Sequence, residues 1–347
     1  MKETEVLIVG AGPIGIELAV ALKRRGIPFI HLDAGQIGAT ITWYAPNTHF
    51  FSSPERIEIA GVPLQTLDQT KATKEEYLKY LRSVVLQFDL EVVTFERVRS
   101  IRKIDGHFEV TSHGMKGDRR WRASKIVLAI GDMHRPRMLG VAGENLPHVS
   151  HYFGDPHEYF RRRVLIVGGK NSAVEAAIRC VRIGANVTLS YRGSEFDPER
   201  VKFWLLPEIE AMIRDERMTF IPRSNVLQIK RDVVLLARTT EDGDNEELRV
   251  PADVVLLLTG YEQDSTLFEQ AGVELEGPGR KPVFDEKTME TNVPGLYVAG
   301  TASAGTQLEG VKEFIETSHV HVDRIVASIT GARAPELEAP EYTLPES

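Results

Sequence analysis

Val6-Leu7-Ile8-Val9-Gly10-Ala11-Gly12-Pro13-Ile14-Gly15 is an apolar run that breaks into three spaced glycines and then into a helical pattern of Ala, Leu, Ile and Val. The opening returns as Val164-Leu165-Ile166-Val167-Gly168-Gly169-Lys170-Asn171-Ser172-Ala173, at an offset of 158 residues. The same offset carries Gly26 onto Gly184 and Asp33 onto Tyr191 without a gap. Each copy reads as a strand, a glycine-rich turn, a helix with apolar residues at i, i+3 and i+4, a glycine stop and a second strand. That is βαβ twice, so the chain is predicted to be α/β, with two Rossmann-like dinucleotide-binding domains built on parallel sheets with right-handed crossovers.

Working outward, each copy is closed by a later apolar run ending in glycine: Ile126 to Gly131 for the first and Val254 to Gly260 for the second. Between opener and closer, alternating segments such as Phe108-Glu109-Val110-Thr111 and Val233 to Ala237 suit small antiparallel meanders. Val293 to Gly300 reads as a further buried strand, and Val311 to Ile329 as a helix stopped by Gly331. This stretch lacks a βαβ opener of its own and most simply completes the first sheet, which makes the second domain an insertion in the first. The expected division is 1–140 with 262–331 for the outer domain and 141–261 for the inserted one. The segment 332–347 is a Pro/Glu-rich tail with too little apolar surface for a core.

At 347 residues the chain has room for two cores. Its 42 Lys plus Arg against 50 Asp plus Glu give a net charge of −8 with the basic residues scattered, so no nucleic-acid track is expected. No apolar run approaches the roughly 18 residues of a membrane span, and the N-terminal run is shorter than a secretory core, so a cytoplasmic protein is expected. The single cysteine, Cys180, allows neither an intrachain disulfide nor a Cys-x-x-Cys pair, and no metal site is read.

Gly10, Gly12 and Gly15 form a complete G-x-G-x-x-G, with Asp33 closing the next strand eighteen residues beyond the last glycine. Gly10 serves the tight turn, Gly12 lets a pyrophosphate approach the backbone, and Gly15 lets helix and strand pack closely. Pro13 and Ile14 belong to the same cradle, and Asp33 suits the ribose of an adenosine. The second turn places Lys170 where Gly12 stands and Tyr191-Arg192 where the acid would be. Loss of the carboxylate and gain of Arg192 favour a 2′-phosphate, hence NADPH at Gly168, Gly169, Lys170, Asn171, Ser172, Arg192 and Gly260, with FAD on the first copy. The alternative for Arg192 is a solvated turn residue. Lys170 reads as a phosphate contact, or else as a lining of the acceptor entrance. A paired FAD and NADPH imply hydride transfer from nicotinamide to flavin.

These residues resemble the bacillithiol disulfide reductase (YpdA) family, within the thioredoxin-reductase-like flavoproteins that carry two dinucleotide-binding domains. The resemblance rests on the lysine-bearing loop Gly168 to Ala173, on Tyr44-Ala45-Pro46 with Phe50-Phe51-Ser52-Ser53, and on Phe314-Ile315-Glu316. It implies reduction of a low-molecular-weight thiol disulfide, homo-oligomerisation as a dimer or tetramer, and FAD contacts at Phe51, Gly131, Gly300 and Thr301. Two departures stand out. The family's cysteine before the third glycine is Ile14 here, and Thr301 occupies a place where the wider superfamily has an aspartate. Cys180 falls on the apolar pattern of Val174, Ala177, Ile178 and Val181 and reads as core. If a disulfide is the acceptor, the flavin must therefore reduce it directly. His49 and Tyr44, in the segment expected to border the flavin, are the candidate proton donors to a small redox substrate.

Two other functions fit parts of the pattern. A flavin-dependent monooxygenase shares the paired folds and often a His/Phe/Gly segment before the second loop, as in Phe153-Gly154-Asp155-Pro156-His157, although the spacing departs from the usual fingerprint. A non-catalytic nucleotide or redox sensor fits the missing cysteine.

Overall fold

The computed structural model describes residues 1–308, 310 and 312–332. It contains two compact units, one made of residues 1–42, 47–135 and the chain from 261 onward, the other of 43–46 and 136–260.

In the first unit the opening strand Lys2–Val9 lies between two parallel neighbours, pairing Val6 with Phe29 on one side and Leu7 with Ile126 on the other. Val6, Leu7 and Ile8 are wholly buried, as the continuous apolar run of a two-sided parallel strand requires. The crossover helix Pro13–Arg24 turns Ile14, Ile16, Leu18, Ala19, Val20 and Leu22 inward. Complete burial of a leucine such as Leu18 contributes about 1.5–3 kcal/mol.

The strand that closes this layer is longer than the run Ile126 to Gly131. It spans Gly117–Leu128, and its first half belongs to the antiparallel meander with Glu96–Ile104 and His107–Gly114. Beneath that meander a buried polar chain links Trp121 Nε1 to Ser112 Oγ at 2.7 Å and Ser112 to the Glu96 carboxylate. Leu296–Val298 adds to the far side of the closing strand in parallel, Leu296 beside Ile126, so the C-terminal stretch does complete the first sheet.

The second unit repeats the scheme. Its sheet runs Thr219–Ile221, Asn186–Ser190, Arg163–Val167, Val254–Leu257 and Val149–Ser150, all parallel, with Val164 beside Val187 and Leu165 beside Val255. The helix Asn171–Arg182 packs Val174, Ala177, Ile178, Cys180 and Val181 into the core. Ser224–Ile229, Val233–Thr239 and Asn245–Pro251 form its meander.

Three details differ from the sequence reading. Residues 136–140 go with the inserted unit, where Arg137 N donates to the Gly260 carbonyl at 2.9 Å, and the exit and return points are 135 and 261. Residues 43–46 also go with it, because Trp43 packs edge-on to Tyr152 at 5.4 Å and Arg179 bonds the Pro46 carbonyl. The last helix is Ile315–Thr330 rather than a helix from Val311: Phe314 is extended and caps it, while Gly331 ends it in the left-handed region at φ 68°. Val311 and the tail residues 333–347 lie outside the described residues.

Candidate functional site

The first turn is shaped by what stands near each glycine. A Cβ on Gly10 would lie 2.3 Å from the Ala129 carbonyl oxygen, and one on Gly15 2.0 Å from that of Gly10, so neither position has room for a side chain. At Gly12 nothing stands within 4 Å of that direction. Gly12 is the extended N-cap of the crossover helix and no side chain caps it, which leaves the first-turn N–H groups available to an anion. Asp33 orders the edge of this cradle: its carboxylate accepts from Ala11 N at 2.5 Å and from Gly35 N at 2.7 Å. Each carboxylate oxygen keeps a second lone pair for a ribose hydroxyl. Behind the turn, His31 is fully buried with Nε2 2.8 Å from the Gly10 carbonyl. Burial holds its pKa below the ordinary histidine value, so the ring is neutral with the proton on Nε2.

At the carboxyl edge of the same sheet, Gly131 and Gly300 follow the adjacent strands Gly117–Leu128 and Leu296–Val298, where the resemblance expects a flavin contact. Between them sits a polar group that the sequence reading missed. Asp132 bonds the Thr301 hydroxyl and accepts from Gln307 Nε2 at 2.9 Å. Gln263 Nε2 donates to the Gly131 and Ala302 carbonyls at 3.0 and 2.9 Å, and its Oε1 is buried without a partner among the described residues. Gly300 N donates to His321 Nδ1 at 3.2 Å, and burial, then the charges of Arg324 and His319, take His321 down to about 4. Ile14 is buried, and its Cβ lies 3.4 Å from where a Cβ of Gly300 would stand. The position of the family cysteine is thus an apolar contact.

The second turn has the same backbone and opposite chemistry. Lys170 caps the helix Asn171–Arg182 with φ −108° and ψ −177°, again without a side-chain cap. Partial burial, then the guanidinium charges of Arg200, Arg137 and Arg192, push its ammonium below the usual lysine value. Lys170 therefore belongs to a cluster of cations, of which Arg137 and Arg200 were not legible from sequence. Asn171 Oδ1 accepts from Lys202 N at 2.8 Å and anchors the loop that carries Arg200. The Tyr191 ring lies against the second turn, since a Cβ on Gly169 would stand 2.3 Å from it. Ser172 and Arg192 are exposed, and Gly260 lies just beyond the closing strand Val254–Leu257 at φ 97°.

The segment around residues 44–53 is divided between the units. Tyr44 goes with the inserted unit, whereas His49 and Phe51 stay with the first. His49 is exposed at an antiparallel bridge to Thr73. Phe51 is half-buried, and its carbonyl accepts from Lys71 Nζ. Ser52 Oγ bonds the Glu316 carboxylate, which also lies 3.6 Å from Arg56, so the Phe-Phe-Ser-Ser segment meets the start of the last helix. Cys180 is wholly buried, and burial pushes its thiol up to about 12, far from any thiolate chemistry. Among the described residues no cluster of His, Cys, Asp and Glu could hold a metal ion, and no helix is long and apolar enough to cross a membrane.

Residues 7–300 match the family described as pyridine nucleotide-disulphide oxidoreductase. The chain is 35% identical over 329 residues to bacilliredoxin reductase Bdr of Bacillus subtilis (strain 168), covering 95% of this chain and 98% of that protein. Among solved structures it is similar to the bacillithiol disulfide reductase Bdr (YpdA) of Bacillus cereus, with a TM-score of 0.88, 35% identity, and coverage of 95% of this chain and 99% of that one. A ferredoxin–NADP reductase of Ignicoccus hospitalis is 28% identical over 304 residues, 85% of this chain and 89% of that protein.

Proposed function

The chain belongs to the pyridine nucleotide-disulphide oxidoreductase family, alongside the bacilliredoxin reductases (YpdA), and from that premise we propose an NADPH-dependent flavoprotein reductase of a small disulfide. The observation that carries the reading is the opposite chemistry of two turns with one backbone. The first offers an open glycine, a helix N-terminus and the Asp33 carboxylate, a set that fits FAD through its pyrophosphate and ribose. The second has no acid at the corresponding place and gathers Lys170, Arg137, Arg192 and Arg200, a set that fits the added phosphate of NADPH. Gly131, Gly300, Thr301 and Phe51 complete the first site in this reading, and Gly168, Gly169, Asn171, Ser172 and Gly260 the second.

FAD held by the first turn and Asp33 would supply two-electron chemistry between the nicotinamide and the acceptor. The protein's part is binding and orientation. It contributes no thiol, because Ile14 fills the one place and the Cys180 thiol is buried and protonated. Cleavage of the acceptor therefore proceeds without a mixed disulfide to the enzyme, and two thiols leave for two electrons and two protons. His49 and Tyr44 are the candidate proton donors to that acceptor. A reducing cytoplasm and self-association complete the reading; light scattering of the purified protein measures the latter.

The test is anaerobic reduction of the purified FAD-loaded protein with NADPH, followed by stopped-flow reoxidation with symmetric low-molecular-weight disulfides, quinones and ferredoxin. Reoxidation by a disulfide well above the oxygen leak supports the proposal. Reoxidation by ferredoxin or quinone alone removes the disulfide and keeps the reductase. Protein that is colourless and takes up no FAD on reconstitution overturns the whole reading.

A further inference from the structure

The carboxyl edge of the first sheet holds an ionisable group that the reading above leaves without a task. Asp132 follows Gly131 directly and faces Thr301 on the neighbouring strand end. Its other partner is fixed: Gln307 gives Nε2 to Asp132 at 2.9 Å and to the Glu313 carbonyl at 3.1 Å, while its Oε1 accepts from Lys312 N and Glu313 N at 2.7 and 3.0 Å. An amide locked in this way presents a donor to Asp132 and cannot turn to offer an acceptor. Both groups bonded to the carboxyl are neutral. The titratable groups on the surrounding segments are engaged elsewhere, His134 with Asp264 at 3.4 Å and Glu313 with His321 at 3.8 Å. A second observation marks the same place as built for a ligand. Gln263, 8% exposed and tied to the carbonyls of Gly131 and Ala302, keeps a buried Oε1 with no donor among the described residues. A buried acceptor of this kind costs free energy unless a bound group supplies an N–H or O–H.

We propose that Asp132 is the proton-holding carboxyl of the FAD site, taking up one proton when the cofactor is reduced and releasing it when the electrons leave. The inference rests on FAD occupying the first unit. Two electrons that arrive with one proton from the nicotinamide leave a net negative charge in the site. A carboxylate facing that charge is driven to take a proton from solvent, and burial already raises its pKa above the ordinary aspartate value. Cleavage of a disulfide consumes two electrons and two protons; one proton comes with the hydride equivalent, and the one stored on Asp132 supplies the second, making good the proton that a donor such as His49 gives up. Thr301 acts here as a positioning residue, its hydroxyl holding the carboxyl at the strand end.

The experiment compares the FAD-loaded wild-type protein with Asp132→Asn, Asp132→Glu and Thr301→Val. Two readouts are used, the pH dependence of the flavin midpoint potential and the pH titration of the oxidised flavin spectrum. The wild type is expected to show a break in the potential-against-pH line and a spectral titration at an acidic pH. Asp132→Asn loses both, Asp132→Glu retains both at a shifted pH, and Thr301→Val retains both and displaces them. Should Asp132→Asn bind FAD in full and keep the break at the wild-type pH, the inference is overturned. If Asp132→Asn does not fold, a Glu variant and a Thr301→Val variant with unshifted titrations overturn it equally. Wild-type protein that binds no FAD overturns the function proposed above as well, so the two failures are distinct.

Discussion

The two glycine-rich turns share a backbone and differ at every residue after the first glycine, from Ala11 against Gly169 to Gly15 against Ala173. Gly10 N donates to the Leu32 carbonyl at 2.8 Å and Gly168 N to that of Ser190 at 3.0 Å. Ala129 N reaches the Val9 carbonyl at 2.8 Å and Leu258 N that of Val167 at 2.9 Å. Gly12 and Lys170 cap their helices in the same extended conformation, with ψ −177° at both. The glycine at position 12 is therefore not demanded by the chain, since a lysine adopts its conformation in the other copy. What Gly12 keeps clear is the space a phosphate would enter. The third positions teach the converse: Gly15 is required by the Gly10 carbonyl 2.0 Å from its absent Cβ, whereas the second copy accommodates Ala173. The lesson is that glycines in one motif answer to different constraints: packing requires Gly15, whereas packing leaves Gly12 free and the proposed ligand would require it.

Exchanging the third positions breaks this comparison most sharply. Gly15→Ala is expected to destabilise the protein by about 3 kcal/mol or more, as overpacking against a fixed carbonyl does. Ala173→Gly should cost about 1 kcal/mol, the usual helix penalty. Urea denaturation measures both, and similar losses in the two variants would mean that the turns are equivalent after all. The second positions come next. Gly12→Ala should leave urea stability within about 1 kcal/mol and lower FAD retention by at least about tenfold, because a methyl enters the phosphate's space. Lys170→Ala should raise the dissociation constant for NADPH about tenfold and leave FAD content unchanged. Unaltered NADPH affinity would remove Lys170 from the phosphate site.

The smallest effect concerns the strand that follows each helix, where His31 in the first copy corresponds to Leu189 in the second. Burial lowers the folded-state pKa of His31, so the unfolded chain binds its proton first as the pH falls. The contribution of the neutral ring is complete above the unfolded value of roughly 6.5 and declines below it. His31→Leu should therefore gain on the wild type by about 1 kcal/mol between pH 7 and 5. Parallel stability profiles in that interval would show that the ring is not kept neutral.

Much of this comparison is legible in the sequence alone. A strand, a glycine turn and a helix are contiguous in sequence, so the two copies, Asp33, Lys170 and the loss of an acid at Tyr191 could be read directly. The insertion was legible too, because Val293 to Gly300 lacked an opener of its own and needed a sheet to join. What could not be read depends on partners far along the chain. Asp132 meets Gln307 across 175 residues, and Gln263 meets Gly131 across 132. Arg137 and Arg200 carry no local pattern and gain meaning only by lying near Lys170. The allegiance of 43–46 was hidden for the same reason, since it rests on partners such as the Tyr152 ring and Arg179, more than a hundred residues away. The one hint available for Asp132 was its position, an acid directly after the glycine that ends a buried strand.

The pairing of Leu296 with Ile126 has a consequence for how the molecule is made. A ribosome finishes the greater part of the inserted unit as one continuous length before it reaches the strand that seals the outer sheet. The inserted unit can accordingly condense early, while the outer sheet waits with one flank of Ile126–Leu128 uncovered until residues 296–298 have emerged. Truncation upstream of Leu296 would leave that flank open, so an intact outer sheet requires a strand made after the whole inserted unit.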